Sequence, residues 1–133
     1  MDTILILDYG SQYTQLIARR LRERGVYTEI RPGDLPLDRA RVPGMKGVIL
    51  SGSPWSCYED GAPAPDRAVY DCGLPVLGIC YGAQRMTLDH RGLVSALPER
   101  EYGRRDVFVE SDDPLFEGLP RRFSSWMSHG DSI

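Results

Sequence analysis

The segment Val76-Leu77-Gly78-Ile79-Cys80-Tyr81-Gly82-Ala83-Gln84 sets a cysteine between two glycines at the end of an apolar run. This pattern predicts a strand that turns sharply into a helix. Glycines two positions either side of an apex residue let strand and helix approach closely while the apex is held in a strained conformation. The sulfur of Cys80 is then presented at the carboxyl end of a strand and at the start of a helix. Free N–H groups and the helix dipole there favour the nucleophilic thiolate. The N–H of Tyr81 points the same way, as a donor for an oxyanion forming on the carbon under attack. The competing reading is a buried, inert cysteine in a strand-to-helix turn, and local chemistry alone leaves both open.

The remainder of the chain supplies strands around this element. Thr3-Ile4-Leu5-Ile6-Leu7 is a continuous apolar run, as in a strand covered on both faces of a parallel sheet. A polar turn, Asp8-Tyr9-Gly10-Ser11-Gln12, leads into a helix from Tyr13 to Arg24. Leu16, Ile17 and Leu21 recur there at helical spacing, and Gly25 marks the stop. Val26 to Ile30 reads as a second strand ended by Pro32-Gly33, followed to Gly44 by a connection with little pattern. Gly47 to Leu50 is a third strand, Ser51 to Pro65 a long loop, and Asp66 to Cys72 a short helix stopped by Gly73 and Pro75. The fourth strand runs into Cys80, and the helix after it ends near Gly92.

This alternation predicts an α/β fold with a doubly wound, mostly parallel sheet, whose ligand site lies beyond the carboxyl ends of the strands. Asp8 to Gln12, Ser51 to Pro54 and Cys80 share that edge. Beyond Gly92 the pattern changes to short strand-like pieces, Leu93 to Leu97, Asp106 to Glu110 and Arg121 to Trp126, which read as an antiparallel flank on the sheet. A polar loop, Met127 to Ser132, closes the chain.

Composition narrows the partners more than the chemistry. With 133 residues, a net charge of -3 and a pI near 5.3, the chain reads as one domain that neither coats nucleic acid nor carries a polybasic membrane anchor. No apolar run approaches a membrane span, and Asp2 stands where a signal peptide carries positive charge, so the expected location is the cytoplasm. Cys57, Cys72 and Cys80 form no CxxC pair and meet no histidine cluster, which argues against a disulfide framework and against a metal site.

Five segments carry a resemblance: Asp8 through Arg20, Leu50-Ser51-Gly52-Ser53-Pro54, Gly78 through Gln84, Arg100-Glu101-Tyr102-Gly103 and Met127-Ser128-His129-Gly130-Asp131. In this order the chain resembles the class I glutamine amidotransferase domain of GMP synthetase. The resemblance implies a flavodoxin-like sheet over residues 1–133 and a reaction in which Cys80 attacks the side-chain amide of glutamine, releasing ammonia for amination of XMP to GMP. It implies an oxyanion hole formed by the N–H groups of Ser53 and Tyr81, and contacts to glutamine from Gly52, Gln84, Ser128, His129 and Gly130, with the Tyr81 side chain over the same pocket. Without it, Gln84 reads as a solvated helix residue.

Two departures accompany the resemblance. Serine stands at position 53, where the commoner pattern has glycine; it keeps the N–H, and its hydroxyl is expected to be incidental to the donor role. The His-x-Glu segment that activates the cysteine in this family is absent: His90, more than two turns along the helix after Cys80, reads as a surface or packing residue, and His129 matches the binding loop. The chain therefore reads as a domain incomplete at its C-terminus and weak in catalysis alone. The ATP-pyrophosphatase domain or subunit of GMP synthetase is the implied partner, ATP and magnesium belong there, and no cofactor is expected here. The remaining alternatives are an amidotransferase component of another synthase such as anthranilate synthase, a cysteine hydrolase on a similar fold, and a glutamine-binding or regulatory domain without turnover.

Overall fold

The computed structural model describes the backbone of residues 1–132, and the side chains of residues 1–95 and 104–125. The chain falls into two compact units, Met1–Val94 and Ser95–Ser132.

The first unit is built on a four-stranded sheet. Its strands are β1 (Thr3–Asp8), β2 (Tyr27–Pro32), β3 (Met45–Leu50) and β4 (Val76–Gly78), in the order β2-β1-β3-β4 and all parallel. Strand order reverses between β1 and β3, the place where open α/β sheets bind their ligands. Side chains alternate across a strand, so the apolar run of β1 divides between the two faces. Leu5 and Leu7 join Val48, Leu50, Leu37, Ala40, Val69, Tyr81 and Val94 on one side. Ile6 joins Ile49 and Ala18 on the other, backed by Ile4, Ile17, Leu21 and Ile30. Both faces are covered, as the unbroken run of apolar residues requires.

Helix α1 (Thr14–Glu23) packs its Ala18, Ile17 and Leu21 stripe over the second cluster. It stops where Gly25 takes a φ of 80°. Pro32 is tolerated inside β2 because β2 is an edge strand. The connection with little pattern contains a one-turn helix, α2 (Leu37–Ala40), with Leu37 and Ala40 buried. A single turn is too short to show a period. Asp66 ties it to α3 (Ala68–Asp71): one carboxylate oxygen accepts from the Leu37 N–H at 2.9 Å, the other from the Ala68 N–H at 3.1 Å. These two bonds hold the Asp66 carboxyl below its ordinary range. Helix α4 (Tyr81–Asp89) follows β4 directly.

The second unit departs from the expected flank. β5 (Ser95–Phe108) and β6 (Arg122–Ser132) pair antiparallel as a separate two-stranded sheet, joined through a short 3-10 turn at Pro114–Phe116. The antiparallel pairing agrees with the expectation; the three short pieces and their place in the main sheet do not. The segment Met127 to Ser132, a polar loop by its sequence, is strand backbone here, because it finds a ladder partner in β5. A run of polar residues gives no apolar alternation by which a strand could be recognised.

Candidate active site

Cys80 stands between β4 and α4 with φ 53° and ψ -113°, a positive φ that side chains other than glycine rarely adopt. Three backbone bonds fix the turn: Ile79 N–H to the Leu50 carbonyl at 3.0 Å, Gly82 N–H to the Ile79 carbonyl at 3.0 Å, and Gln84 N–H to the Cys80 carbonyl at 3.1 Å. The two glycines are required by space. A Cβ on Gly82 would lie 2.2 Å from the Leu50 carbonyl oxygen, and one on Gly78 would lie 2.6 Å from Ala83 Cα and N. These neighbours are backbone and have no freedom to step aside. The sulfur is exposed, whereas Cys57 is buried and Cys72 donates its thiol proton to the Val69 carbonyl. A buried position for Cys80 is therefore excluded.

The loop after β3 reaches the same place. A Cβ on Gly52 would lie 3.6 Å from Cys80 Cβ and 3.5 Å from Ser11 Oγ, so three loops of the sheet edge meet there. The Asp8–Gln12 turn is braced by Asp8 Oδ1, which accepts from the Gly10 N–H and the Thr14 hydroxyl, each at 2.9 Å. Gly10, at φ 92°, abuts Pro54. Ser53 is half-buried, and its Oγ accepts from the Trp55 N–H at 3.1 Å. Its hydroxyl thus closes the turn.

The Tyr81 side chain does not lie over an open pocket. Only 2% exposed, it is packed into the core with its ring centroid 5.6 Å from that of Tyr9, and its hydroxyl donates to the Pro63 carbonyl. The helix carries this side chain inward; its backbone N–H remains at the elbow, where a first-turn N–H has no intrahelical acceptor. Burial raises the tyrosine hydroxyls of this cluster: Tyr81, Tyr9 and Tyr70, the last also through its bond to Asp89. Asp89 further accepts from Arg85 at 2.6 Å, and this bond raises the guanidinium.

Gln84, one turn from Cys80, is buried, so a solvated position is excluded. His90 caps the C-terminal end of α4, exposed, with Nδ1 2.8 Å from the Met86 carbonyl oxygen and its ring edge-on to Tyr70. At 1.5 Å per residue it stands roughly 15 Å along the helix from Cys80, an exposed position with its ring against Tyr70, in line with a surface or packing residue. The backbone of Ser128, His129 and Gly130 lies in β6, with Ser128 opposite Tyr102 and His129 opposite Glu101; their side chains lie outside the described residues. Those of Arg100 to Gly103 do so as well.

Ser51 escapes sequence reading, although it is fully buried and hydrogen-bonded on both sides at the end of β3. Its one signal is a serine between an apolar strand and a glycine. Among the described residues no group of three His, Cys, Asp or Glu side chains could hold a metal, and no helix is long and apolar enough to cross a membrane.

Known proteins share this sequence pattern and fold. Residues 5–133 match the family "Glutamine amidotransferase class-I". The chain is 52% identical over 134 residues to a glutamine-hydrolysing GMP synthase of Nitratiruptor, covering 98% of this chain and 26% of that protein. It is 50% identical over 132 residues to one of Caldanaerobacter subterraneus, covering 99% and 26%. It thus spans about a quarter of the length of the curated relatives it matches. A Thermoplasma acidophilum protein described as a GMP synthase subunit superimposes with a TM-score of 0.80 at 32% identity, over 100% of this chain and 67% of that one. A Thermotoga maritima glutamine amidotransferase, at 18% identity and a TM-score of 0.73 over 98% of this chain and 61% of that one, shares the fold.

Proposed function

The chain belongs to the class I glutamine amidotransferase family, and from that premise we propose that it is the ammonia-releasing part of a glutamine-hydrolysing GMP synthase. The observation that carries this reading is the exposed Cys80 at a positive-φ apex, with the Gly52 backbone against its Cβ. The Cys80 thiolate adds to the side-chain carbonyl carbon of glutamine, forming a C–S bond as the carbonyl electron pair moves onto oxygen. Backbone N–H groups of Tyr81 and Ser53 receive that oxyanion. Collapse expels the nitrogen, which takes up a proton and leaves as ammonia. Water then attacks the glutamyl thioester, releasing glutamate and the free thiol.

Gly52, Gln84, Ser128, His129 and Gly130 are the proposed contacts to glutamine. The ammonia aminates XMP in an ATP-pyrophosphatase domain or subunit that binds ATP and magnesium, while this domain itself uses no cofactor; the setting is the cytoplasm. Neither His90 nor His129 is assigned as the base, so the 133-residue polypeptide alone should turn glutamine over weakly. Positioned acid–base assistance is worth about 10²–10⁴-fold.

The test has two parts. A glutamine-mimicking electrophile should label Cys80 and spare Cys57 and Cys72, with glutamine protecting; equal labelling of all three thiols sinks the assignment. In the full-length protein, Cys80→Ala should abolish glutamine-dependent amination of XMP and leave amination from added ammonia intact. Retained glutamine-dependent amination overturns the role of Cys80.

A further inference from the structure

Ser51 is the last buried residue before the Gly52 turn, with no exposed surface. Its N–H donates to the Leu7 carbonyl at 3.1 Å. Its hydroxyl accepts from the Tyr9 N–H at 2.9 Å and donates to the Gly52 carbonyl at 2.9 Å. We propose that Ser51 is a positioning residue for the oxyanion hole: by holding the Gly52 carbonyl, its hydroxyl fixes the Gly52–Ser53 peptide so that the Ser53 N–H faces Cys80. The inference rests on the amidotransferase reading given above.

In a planar trans peptide the C=O and the next residue's N–H point in opposite directions. A carbonyl held on the side of Ser51 and the Tyr9 turn therefore sends the Ser53 N–H the other way. Gly52 also adjoins Cys80, a Cβ built on it lying 3.6 Å from Cys80 Cβ, which brings this peptide beside Cys80. Glycine has little intrinsic conformational preference, so Gly52 by itself does not set this orientation. A flip of the same peptide would put a carbonyl oxygen where a donor is needed and would repel the developing oxyanion. Because the Ser51 oxygen already accepts from Tyr9, its single proton is directed to Gly52. Downstream, the Ser53 hydroxyl on the Trp55 N–H and the restriction that Pro54 places on residue 53 hold the other side. The peptide is clamped at both ends, and only the upstream clamp is buried.

The experiment uses the full-length protein with its synthetase part, and compares Ser51→Ala, Ser51→Thr and Cys80→Ala. It measures kcat and KM for glutamine, and the affinity of the glutamine analogue whose carboxamide is replaced by an aldehyde. Cys80 adds to that aldehyde, and the carbonyl oxygen takes up a proton, giving a hemithioacetal whose oxygen sits in the hole. Ser51→Ala should lower kcat and aldehyde affinity together by about 10- to 100-fold, just under the loss of a whole donor, with KM within about threefold. Ser51→Thr, which keeps the hydroxyl, should recover most of both. Unchanged aldehyde affinity in Ser51→Ala, or a loss confined to KM, overturns the inference.

If Ser51→Ala does not fold, the aldehyde adduct of the unsubstituted protein decides. A Ser53 N–H on the adduct oxygen with Gly52 still held by Ser51 supports the role; a Gly52 carbonyl turned toward Cys80 overturns it. Cys80→Ala separates the two levels. If it leaves glutamine hydrolysis intact, the reading of the site fails and the inference with it. If it abolishes hydrolysis while Ser51→Ala changes nothing, the inference alone fails.

Discussion

The sheet unit and the ribbon unit hold their backbones in different ways. In Met1–Val94 each strand of the sheet centre is packed on two faces, and Leu5, Ile6, Leu7 and Leu50 have no exposed surface. In the ribbon no described side chain is buried, and Phe108, Leu115 and Leu119 stand 62%, 58% and 50% exposed. Shape in the first unit is set by volume, and in the second by ladder hydrogen bonds. A strained residue persists only where the surroundings over-determine it. Cys80, with its positive φ, stands in the part of the molecule able to impose that strain.

The largest effect should come from removing that imposition. Gly82→Ala drives a Cβ into the Leu50 carbonyl, and overpacking against backbone should cost about 3 kcal/mol, read as a lowered denaturation midpoint. Gly118 has a φ of 82° and nothing within 4 Å of a Cβ, so Gly118→Ala should cost only the left-handed penalty, about 1 kcal/mol. Equal costs would erase the distinction between the two units.

Alkaline titration should separate them next. Tyr9, Tyr70 and Tyr81, all in the sheet unit, have hydroxyls raised above the ordinary value of 10 by burial first. In the unfolded chain these groups ionise near 10 while the folded unit retains their protons. Their contribution is therefore fully present below that pH and is lost as pH rises above it. For Tyr9 the slope approaches about 1.4 kcal/mol per pH unit. Ultraviolet titration should show Tyr9, Tyr70 and Tyr81 ionising together with unfolding. Smooth titration of all of them without unfolding would break the comparison.

The same contrast explains what the sequence discloses. β1, β3, α1 and the elbow are legible because burial writes a period or a spacing into the residues: Leu5 and Leu7 against Ile4 and Ile6, and Gly78 and Gly82 about Cys80. The one-turn helix at Leu37–Ala40 leaves too few residues for a period. β5 and β6 leave none, having no buried face among their described residues, so a 14-residue strand looks like fragments and turns. At the site, the residue types are visible but their directions are not. The resemblance sets the Tyr81 side chain over the glutamine pocket, although the start of α4 turns its ring to Tyr9. Ser51 is easily passed over because its role exists only once the ends of β1 and β3 lie side by side.

A smaller effect tests whether the packed unit is optimal. Thr28, fully buried in β2, is the one described residue with a buried side-chain oxygen or nitrogen lacking a hydrogen-bond partner. Thr28→Val keeps the shape and removes the unsatisfied hydroxyl, so it should raise stability by about 1 kcal/mol. A destabilised variant would show that the hydroxyl is satisfied in solution.

The smallest effect belongs to the ribbon. Arg122 pairs with Asp106 across β5 and β6 and lies 5.5 Å from the Phe108 ring centroid, but its side chain is 67% exposed and that of Asp106 41%. Water screens such a pair, and ordering two long side chains offsets much of the attraction, leaving about 0–1 kcal/mol. Arg122→Ala should therefore shift stability by no more than about 0.5 kcal/mol, and raised salt should remove the shift. The pair Arg85 and Asp89 in the sheet unit has the same chemistry, with side chains only 19% and 11% exposed and Tyr70 as a further donor to the carboxylate. A double-mutant cycle on Arg85 and Asp89 should return a larger coupling that survives salt. If a matching cycle on Arg122 and Asp106 gave an equal, equally salt-sensitive coupling, burial would not be what distinguishes the unit that carries Cys80 from the one that does not.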